Sequence, residues 1–316
     1  MTAQAVRPSD GSATPGDPAT SAAASQAKAK ARSSDSTVRS IGVTLTLLAL
    51  VILGFVGYLY VLSGVQEARS QTILYARMQG ELGQGTAPTG PAIPGHPVTP
   101  ASLAAVPGDP IALLDIPSIH LRNAVIVEGT SAEDMTLGPG HLRDTPFPGQ
   151  AGISVVFGRR ATFGAQFADV PQLRKGDLIT TITSQGLAHY TVIAVSNSSK
   201  PVPFRELPNQ LLLVTADSQI APAHYIEVEA KLLTSPQPES GYLPSVSSAE
   251  VALGRDPYAL IPAMAWAIAL AAAALCGSLL AARWSRWGAW LVTIPVIIAI
   301  VWNLYESLSA LLPNLY

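Results

Sequence analysis

The sequence predicts a mostly β domain, folded as a small barrel or sandwich with short helices and attached to three transmembrane helices. The chain has 316 residues, of which 48% are hydrophobic and only 13% are charged, a balance too apolar for an ordinary soluble domain. Three long apolar runs indicate membrane-spanning helices. Between the first and second runs, about seven short segments rich in β-branched residues are bounded by turn residues, which is typical of a small all-β domain.

The chain begins with a polar segment, 1–39, which is rich in Ala, Ser, Thr and Pro. Such a segment cannot bury enough apolar surface to fold, so we expect a disordered cytoplasmic tail. The first predicted transmembrane helix is 40–63. Its uncharged stretch of 23 residues, Ile41–Ser63, exceeds the apolar core of about 7–15 residues in a cleaved signal peptide. This length favours an uncleaved anchor over the alternative of a long signal sequence.

The other predicted segments follow from composition and apolar length. They are a helical stalk with a Pro/Gly-rich linker at 64–108, the β domain at 109–233, a second linker at 234–257, transmembrane helices at 258–282 and 287–303, and an extracytoplasmic tail at 304–316. A Pro/Gly-rich linker is extended and semi-rigid, so we expect the first linker to hold the β domain away from the bilayer. The connector between the last two helices is too short for a domain, so these helices should form a hairpin.

Within the β domain, alternation and turn residues predict seven strands. These are 112–119, 123–129, 152–158, 177–184, 189–196, 211–217 and 224–233. Two short helical turns are expected, one around 131–135 and one around 166–173. Ser131 is a suitable N-cap for the first turn, because Asp134 lies three residues later.

Positive charge in short flanking segments marks the cytoplasmic side of a membrane protein. Basic residues flank the first span and occupy the hairpin connector: Lys28, Lys30, Arg32, Arg39, Arg283 and Arg286. Three spans place both groups on the same side of the plasma membrane. We therefore expect the N-terminus to be cytoplasmic and the main domain to be extracellular.

Charge and cysteine content exclude several classes of partner and cofactor. The net charge of -2 arises from 19 basic and 21 acidic residues without a long block of one sign, so no nucleic-acid partner is expected. The single cysteine, Cys276, excludes an intramolecular disulfide and a cysteine-based metal site. The five histidines lack the spacing that places two metal ligands on one helical face. We therefore expect no metal and no cofactor.

Several motifs in the β domain resemble those of one enzyme family in order and spacing. They are the strand at 116–119 followed by VIVEGT (125–130), the loop GPGH (138–141) followed by TPFPGQAG (145–152), the stretch GRRATFG (158–164) with Phe167, Leu173 and KGD (175–177), and the final strands LLLVTADS (211–218) and YIEVEAKL (225–232). Together they resemble the sortases, cysteine transpeptidases that attach secreted proteins to the Gram-positive cell wall, and in particular the class E-like actinobacterial type. The resemblance implies a closed eight-stranded β-barrel over 109–233.

The resemblance also implies that the three catalytic positions are altered. The family's histidine aligns with Arg159, its nucleophilic cysteine with Ala216, and its arginine with Tyr225. An alanine has no heteroatom with which to attack a carbonyl group. A guanidinium stays protonated and cannot act as a general base. A phenol can donate one hydrogen bond to an oxyanion but lacks the charge of arginine.

A different catalytic group could in principle have arisen nearby from Ser218 or Thr215 with His224 and Asp217. Because side chains alternate along a strand, Thr215 and Asp217 should point away from the face that carries Ala216. Ser218 shares the parity of Ala216, but no imidazole is then left on its side. Cys276 lies deep in the second predicted span and cannot substitute.

Six residues remain as possible ligand-binding groups. They are Arg159, Arg160, Thr215, Asp217, Tyr225 and His141. Two adjacent guanidinium groups at a cleft mouth could hold a carboxylate or phosphate, although a solvated strand end, or pairing with Asp217 or Glu128, is the commoner arrangement. His141 is better explained as a loop residue that satisfies backbone groups than as a catalytic base.

The resulting hypothesis is a membrane-anchored pseudoenzyme that binds a peptide, a cell-wall segment or a partner protein without transpeptidation. Its expected partners are the membrane and a secreted or cell-wall-anchored protein, peptidoglycan or an active sortase. The alternative is a sortase-type transpeptidase or hydrolase that acts on cell-wall sorting signals through an unorthodox site. A third possibility is an ectodomain in a larger membrane assembly, with the C-terminal hairpin as the interaction surface, since the small residues at 271–274 and 277–278 permit close helix packing.

Overall fold

A computed structural model describes residues 39, 41–93, 104–197, 208–283 and 286–316. The predictions for the tail up to residue 38, for the middle of the first linker and for the connector residues 284–285 lie outside these residues. By its internal contacts the chain divides into two compact units, residues 1–54 and 55–316. In the first unit, residues 41–54 are helical. The second unit contains every β-strand described below.

The second unit is built around a closed eight-stranded barrel. Its strands are β3 (Pro110–Ile116), β4 (Leu121–Glu128), β5 (Gly140–His141), β6 (Ile153–Phe157), β7 (Leu178–Thr183), β8 (Gly186–Asn197), β9 (Gln210–Ala216) and β10 (Tyr225–Leu232). Around the barrel they follow the order β10-β8-β7-β3-β4-β5-β6-β9. Antiparallel pairing of β9 with β10 closes the barrel, whereas β6 pairs with β9 in parallel. A separate parallel pair joins β1 (Gly90–Pro91) to β2 (Ala104–Ala105).

Strand alternation decides which side chains enter the barrel. In β9, Leu211 and Leu213 are fully buried in the barrel core, whereas Leu212, Val214 and Ala216 pack on the outer face. This period of two follows from the pleat, because successive side chains point to opposite faces. The predicted barrel is therefore confirmed. The sequence did not reveal β5, because a two-residue strand that contains a glycine has no alternation to recognise.

A long helix packs along the barrel. After a π-helical turn at Tyr58–Leu62, helix α1 (Ser63–Gln84) places Leu74 and Met78 in one apolar cluster with residues of β3 and β4. The side chain of Gln71 also accepts from the Val125 amide at 2.8 Å and donates to the Leu137 carbonyl at 2.8 Å. The predicted helical stalk therefore packs on the barrel surface, and the expectation that the first linker holds the β domain away from the bilayer stays a prediction.

The C-terminal part of the chain forms a helical hairpin of α2 (Leu260–Arg283) and α3 (Arg286–Ser309). Three helices in the described residues are long and apolar enough to cross a membrane, namely Ile41–Gln84, Pro257–Arg283 and Gly288–Ser309. Helix α3 ends at Ser309 rather than at the predicted 303. Its additional turn brings the last residues of the chain against the barrel.

Candidate functional site

A buried apolar cluster, called the groove below, lies on the outer face of β6 and β9, at the end where β9 stops. It consists of Met135, Val155, Phe157, Val214, Ala216 and Leu315, with the partly buried Tyr225 packed against it. Leu315 belongs to the last residues of the chain and is fully buried there. The groove is therefore covered by a segment of the same chain.

Ala216 and Tyr225 lie at adjacent positions in the groove. They are direct cross-strand partners at the ends of β9 and β10, and Ala216 has no exposed surface. The structure thus brings together two of the three positions that the resemblance assigned to catalysis. The side chain at 216 faces the groove, but it is a methyl group and offers no reactive atom.

Arg159 follows β6 and is buried beneath the groove, with only 3% of its surface exposed. Its guanidinium donates to the carbonyl oxygens of Met135 at 3.0 Å and Ala132 at 2.6 Å, and to the Thr162 hydroxyl at 3.2 Å. Its Cζ atom also lies 4.6 Å from the centre of the Phe163 ring. Burial lowers the pKa of Arg159 to about 9, because desolvation disfavours the charged form. The group remains a cation at neutral pH and joins the surrounding loops.

Arg160 binds the end of β9 rather than a carboxylate. Its guanidinium donates to the main-chain oxygens of Ala216, at 3.0 Å, and Asp217. The carboxylate of Asp217 accepts from the Ala223 amide at 3.2 Å, within the loop that leads to β10. The predicted pairing of Arg160 with the Asp217 side chain is replaced by bonds to the backbone, which is a frequent arrangement where a strand ends and its carbonyl groups need donors.

Thr215 points away from the groove, as the alternation of β9 requires. It is fully buried, and its hydroxyl donates to the Gly158 carbonyl at 2.9 Å. Ser218 accepts from the Ile220 amide at 3.3 Å, and His224 is exposed. These groups do not meet in one site, so the structure assembles no hydroxyl–imidazole pair from them.

His141 lies in β5 and forms a buried cluster of its own. Its Nδ1 atom is 2.8 Å from the Glu128 carboxylate, and its Nε2 atom is 3.0 Å from the Pro146 carbonyl and 3.1 Å from the Thr145 hydroxyl. A carbonyl oxygen only accepts, so Nε2 must carry the proton and cannot take one from Thr145. The Thr145 hydroxyl donates instead to the Leu142 carbonyl at 2.7 Å. The cluster therefore ties β4, β5 and the next loop together and has no free base.

Three groups in this region were not recognised from the sequence. Thr162 and Asn314 are buried polar residues that bind main-chain atoms across the groove, and Met135 covers the groove from a 3-10 turn at Asp134–Thr136. The N-cap of that turn is Glu133 rather than the predicted Ser131, although Ser131 and Asp134 do exchange hydrogen bonds. Within the described part of the chain, no cluster of His, Cys, Asp or Glu could hold a metal ion.

The buried Asp134 carboxyl should make the stability of the fold depend on pH. Burial raises its pKa to about 6 from an ordinary value of 3.8, and the hydrogen bonds from Ser131 only partly oppose this shift. A raised pKa in the folded state means that the protonated form stabilises the fold at low pH, and that this contribution is lost as pH rises through about 6. We expect the stability difference between wild type and Asp134→Asn to shift by about 1–2 kcal/mol between pH 4 and 7, to the disadvantage of wild type. Melting temperatures at several pH values test this; parallel curves would contradict it.

Comparison with known proteins identifies the barrel. A family model described as a sortase domain matches residues 114–230. Sortase D of Bacillus subtilis (strain 168) is 34% identical over 93 residues, which are 29% of this chain and 45% of that protein. Sortase E from Streptomyces avermitilis is 31% identical and covers 42% of this chain and 93% of its own, with a TM-score of 0.36. The chain belongs to the sortase family.

The family-model match is confined to the barrel. A structure of a Clostridium perfringens sortase D5 transpeptidase is 20% identical and covers 52% of this chain and 99% of its own, with a TM-score of 0.41. The chain spans less than half the length, 45%, of the curated sortase D that it matches. The family match ends at residue 230, so the helical hairpin and the last residues of the chain lie outside the sortase domain.

Proposed function

We propose that this protein is a membrane-anchored sortase-family pseudoenzyme that binds a peptide segment in its groove without cleaving or transferring it. The observation that carries this proposal is the groove floor at Ala216, where the side chain that faces the groove is a buried methyl group. Acyl transfer of the sortase kind requires a thiolate that forms a covalent intermediate. The only cysteine, Cys276, is in the middle of α2.

The groups around Ala216 support binding rather than catalysis. Arg159 has its guanidinium committed to the carbonyls of Ala132 and Met135, so this cation holds the groove wall. The unorthodox alternative needs a base beside a hydroxyl, yet the Thr215 hydroxyl donates to a carbonyl and the His141 ring is enclosed with Glu128. We therefore favour the non-catalytic function over a hydrolase or transpeptidase.

The closed barrel restricts how a peptide can be held. All eight barrel strands have two neighbours, so a ligand cannot add to a free strand edge in the manner of β-augmentation. A ligand in the groove would instead place an apolar side chain over Ala216 and satisfy separate main-chain donors and acceptors at the rim. The apolar floor and the donors of Arg160 and Thr162 fit an extended peptide better than a glycan.

The location of the groove favours a partner outside the cytoplasm. Residues before α2 and after α3 both contact the barrel, through Ala252, Leu253 and Leu315, so the hairpin would cross the membrane twice and return to the barrel side. In the sequence, basic residues flank the first span and the hairpin connector, and the positive-inside tendency supports a cytoplasmic N-terminus. The partner would then be a secreted or cell-wall-anchored protein at the plasma membrane.

The proposal is tested with the full chain in detergent micelles or nanodiscs. A quenched fluorogenic sorting-signal peptide should show no turnover and no covalent adduct by intact mass. Because the last residues of the chain occupy the groove, binding of the same labelled peptide is measured by anisotropy with both wild type and the double variant Asn314→Ala/Leu315→Ala. Peptide binding without turnover supports the proposal.

A matched pair of substitutions locates the binding. In the double-variant background, Tyr225→Ala should weaken peptide binding about tenfold, because an aromatic side chain at a groove edge contributes about 1–2 kcal/mol. Tyr242→Ala should not change it, because Tyr242 lies in the linker and is 45% exposed. Turnover that disappears in Ser218→Ala or Thr215→Ala would establish the catalytic alternative, and equal effects of the two tyrosine variants would remove the groove as the binding site.

A further inference from the structure

The groove is filled by residues Asn314–Tyr316, which follow α3. Leu315 has no exposed surface and packs in the same apolar cluster as Ala216, Met135 and Val214. The residue that covers the altered catalytic position is therefore supplied by a segment 99 positions further along the chain, which lies beyond the sortase match.

Polar contacts fix the segment at its first residue. The Asn314 side-chain amide donates to the carbonyls of Thr130 at 2.8 Å and Val251 at 3.0 Å, and its backbone amide donates to Gly254 at 3.0 Å. A carboxylate could not donate in this way, and a shorter hydroxyl could not span both carbonyl groups. The site at this end of the groove thus selects a primary amide.

Further contacts bind the backbone of the segment. The Tyr316 main-chain oxygen accepts from the Thr162 hydroxyl at 2.6 Å and lies 3.5 Å from an Arg159 nitrogen. The Leu315 carbonyl accepts from the Arg160 amide at 3.3 Å. The segment thus contacts both arginines, and it does so without a strand ladder.

We propose that residues 314–316 are a tethered occupant that keeps the groove closed, and that a peptide partner binds only by displacing them. Only Ala310–Pro313 separate the segment from the end of α3, and so short a tether gives an effective concentration in the millimolar range. The existence of a peptide partner rests on the proposed function. The closed state of the groove does not depend on it. The partner it implies carries an amide side chain followed by an apolar one, because those are the two pockets that the groove offers.

The closed state is tested by crosslinking in the intact membrane. In a Cys276→Ser background, the pair Ala216→Cys with Leu315→Cys should crosslink efficiently with a short thiol-specific reagent. The matched pair Ala216→Cys with Leu312→Cys should crosslink much less, because Leu312 lies in the same tail but outside the groove cluster. Equal crosslinking of the two pairs, or none in the first, overturns the closed state whatever the function of the protein.

Displacement is tested by peptide binding. The labelled peptide of residues 310–316 should bind the Asn314→Ala/Leu315→Ala variant at least about tenfold more tightly than wild type, since the tethered competitor is weakened. Leu312→Ala should bind like wild type. The double variant should keep its melting temperature within a few degrees; a large loss of stability would show that the segment is a fixed part of the core and would overturn its displacement. If the crosslink forms and the variant folds but binds no peptide, the proposed function fails while the closed groove stands.

Discussion

Replacing Arg159 by alanine should destabilise the protein by about 3–5 kcal/mol, the cost of leaving several buried partners without a donor. The guanidinium is 3% exposed and binds the Ala132 and Met135 carbonyls and the Thr162 hydroxyl. Thermal unfolding of the full chain in micelles, followed by near-UV circular dichroism, measures the effect. The control is Arg122→Ala, because Arg122 is exposed and its loss should cost less than about 0.5 kcal/mol.

Arg159→His is the informative companion substitution. It returns an imidazole to the position that the sortase resemblance assigns to the catalytic base, yet it should also lower stability by about 2–4 kcal/mol, because an imidazole has two donors at most and cannot reach the same set of oxygens. A histidine variant as stable as wild type would contradict the structural role of this guanidinium. The surrounding loops now depend on arginine, so reversal to the family's histidine is costly.

Gly158→Ala should be the second severe substitution, with a loss of about 2–4 kcal/mol through overpacking. A Cβ atom at this position would overlap Cγ and the adjacent ring atoms of Phe167. Phe167 is fully buried in the barrel core and cannot move aside. Denaturant or thermal unfolding of the full chain is the measurement.

The same chemical change elsewhere provides the control. Gly80 is exposed in α1 and has no atom within 4 Å of an added Cβ. Gly80→Ala should therefore raise stability by up to about 1 kcal/mol, because alanine is the better helix former. If Gly158→Ala and Gly80→Ala had effects of the same sign, the close contact with Phe167 would not be the cause.

The barrel could be predicted because its signals are local. Strands such as β9 alternate between core and outer face, and the hydrogen bonds between Ser131 and Asp134 join residues only three positions apart. The same locality explains what was missed. β5 is too short to show a period, and the packing of Met78 on the barrel depends on residues of β3 and β4 that are distant in sequence.

The groove was only half predictable. Ala216 and Tyr225, which the motif order aligns with two catalytic positions of the family, are cross-strand partners on β9 and β10. The prediction treated Arg159 as a solvated or anion-binding group, yet it is buried, and no local pattern indicates that its donors meet main-chain oxygens of other loops. Leu315 is the extreme case. It shares a buried apolar cluster with Ala216. The two segments are far apart in sequence, so composition predicts only an extracytoplasmic tail at 304–316.

An aromatic cluster lies between Arg159 and helix α3. Tyr58 packs edge-on against Phe163 at 6.3 Å and against Trp302 of α3 at 5.5 Å, and Phe163 lies under the Arg159 cation at 4.6 Å. The rings of Phe163 and Tyr58 thus connect Arg159 to α3, one of the helices that are long and apolar enough to cross a membrane. Under the proposed function, a ligand anchored in the same bilayer would reach this site by a two-dimensional search, whereas an unanchored ligand would search in three dimensions.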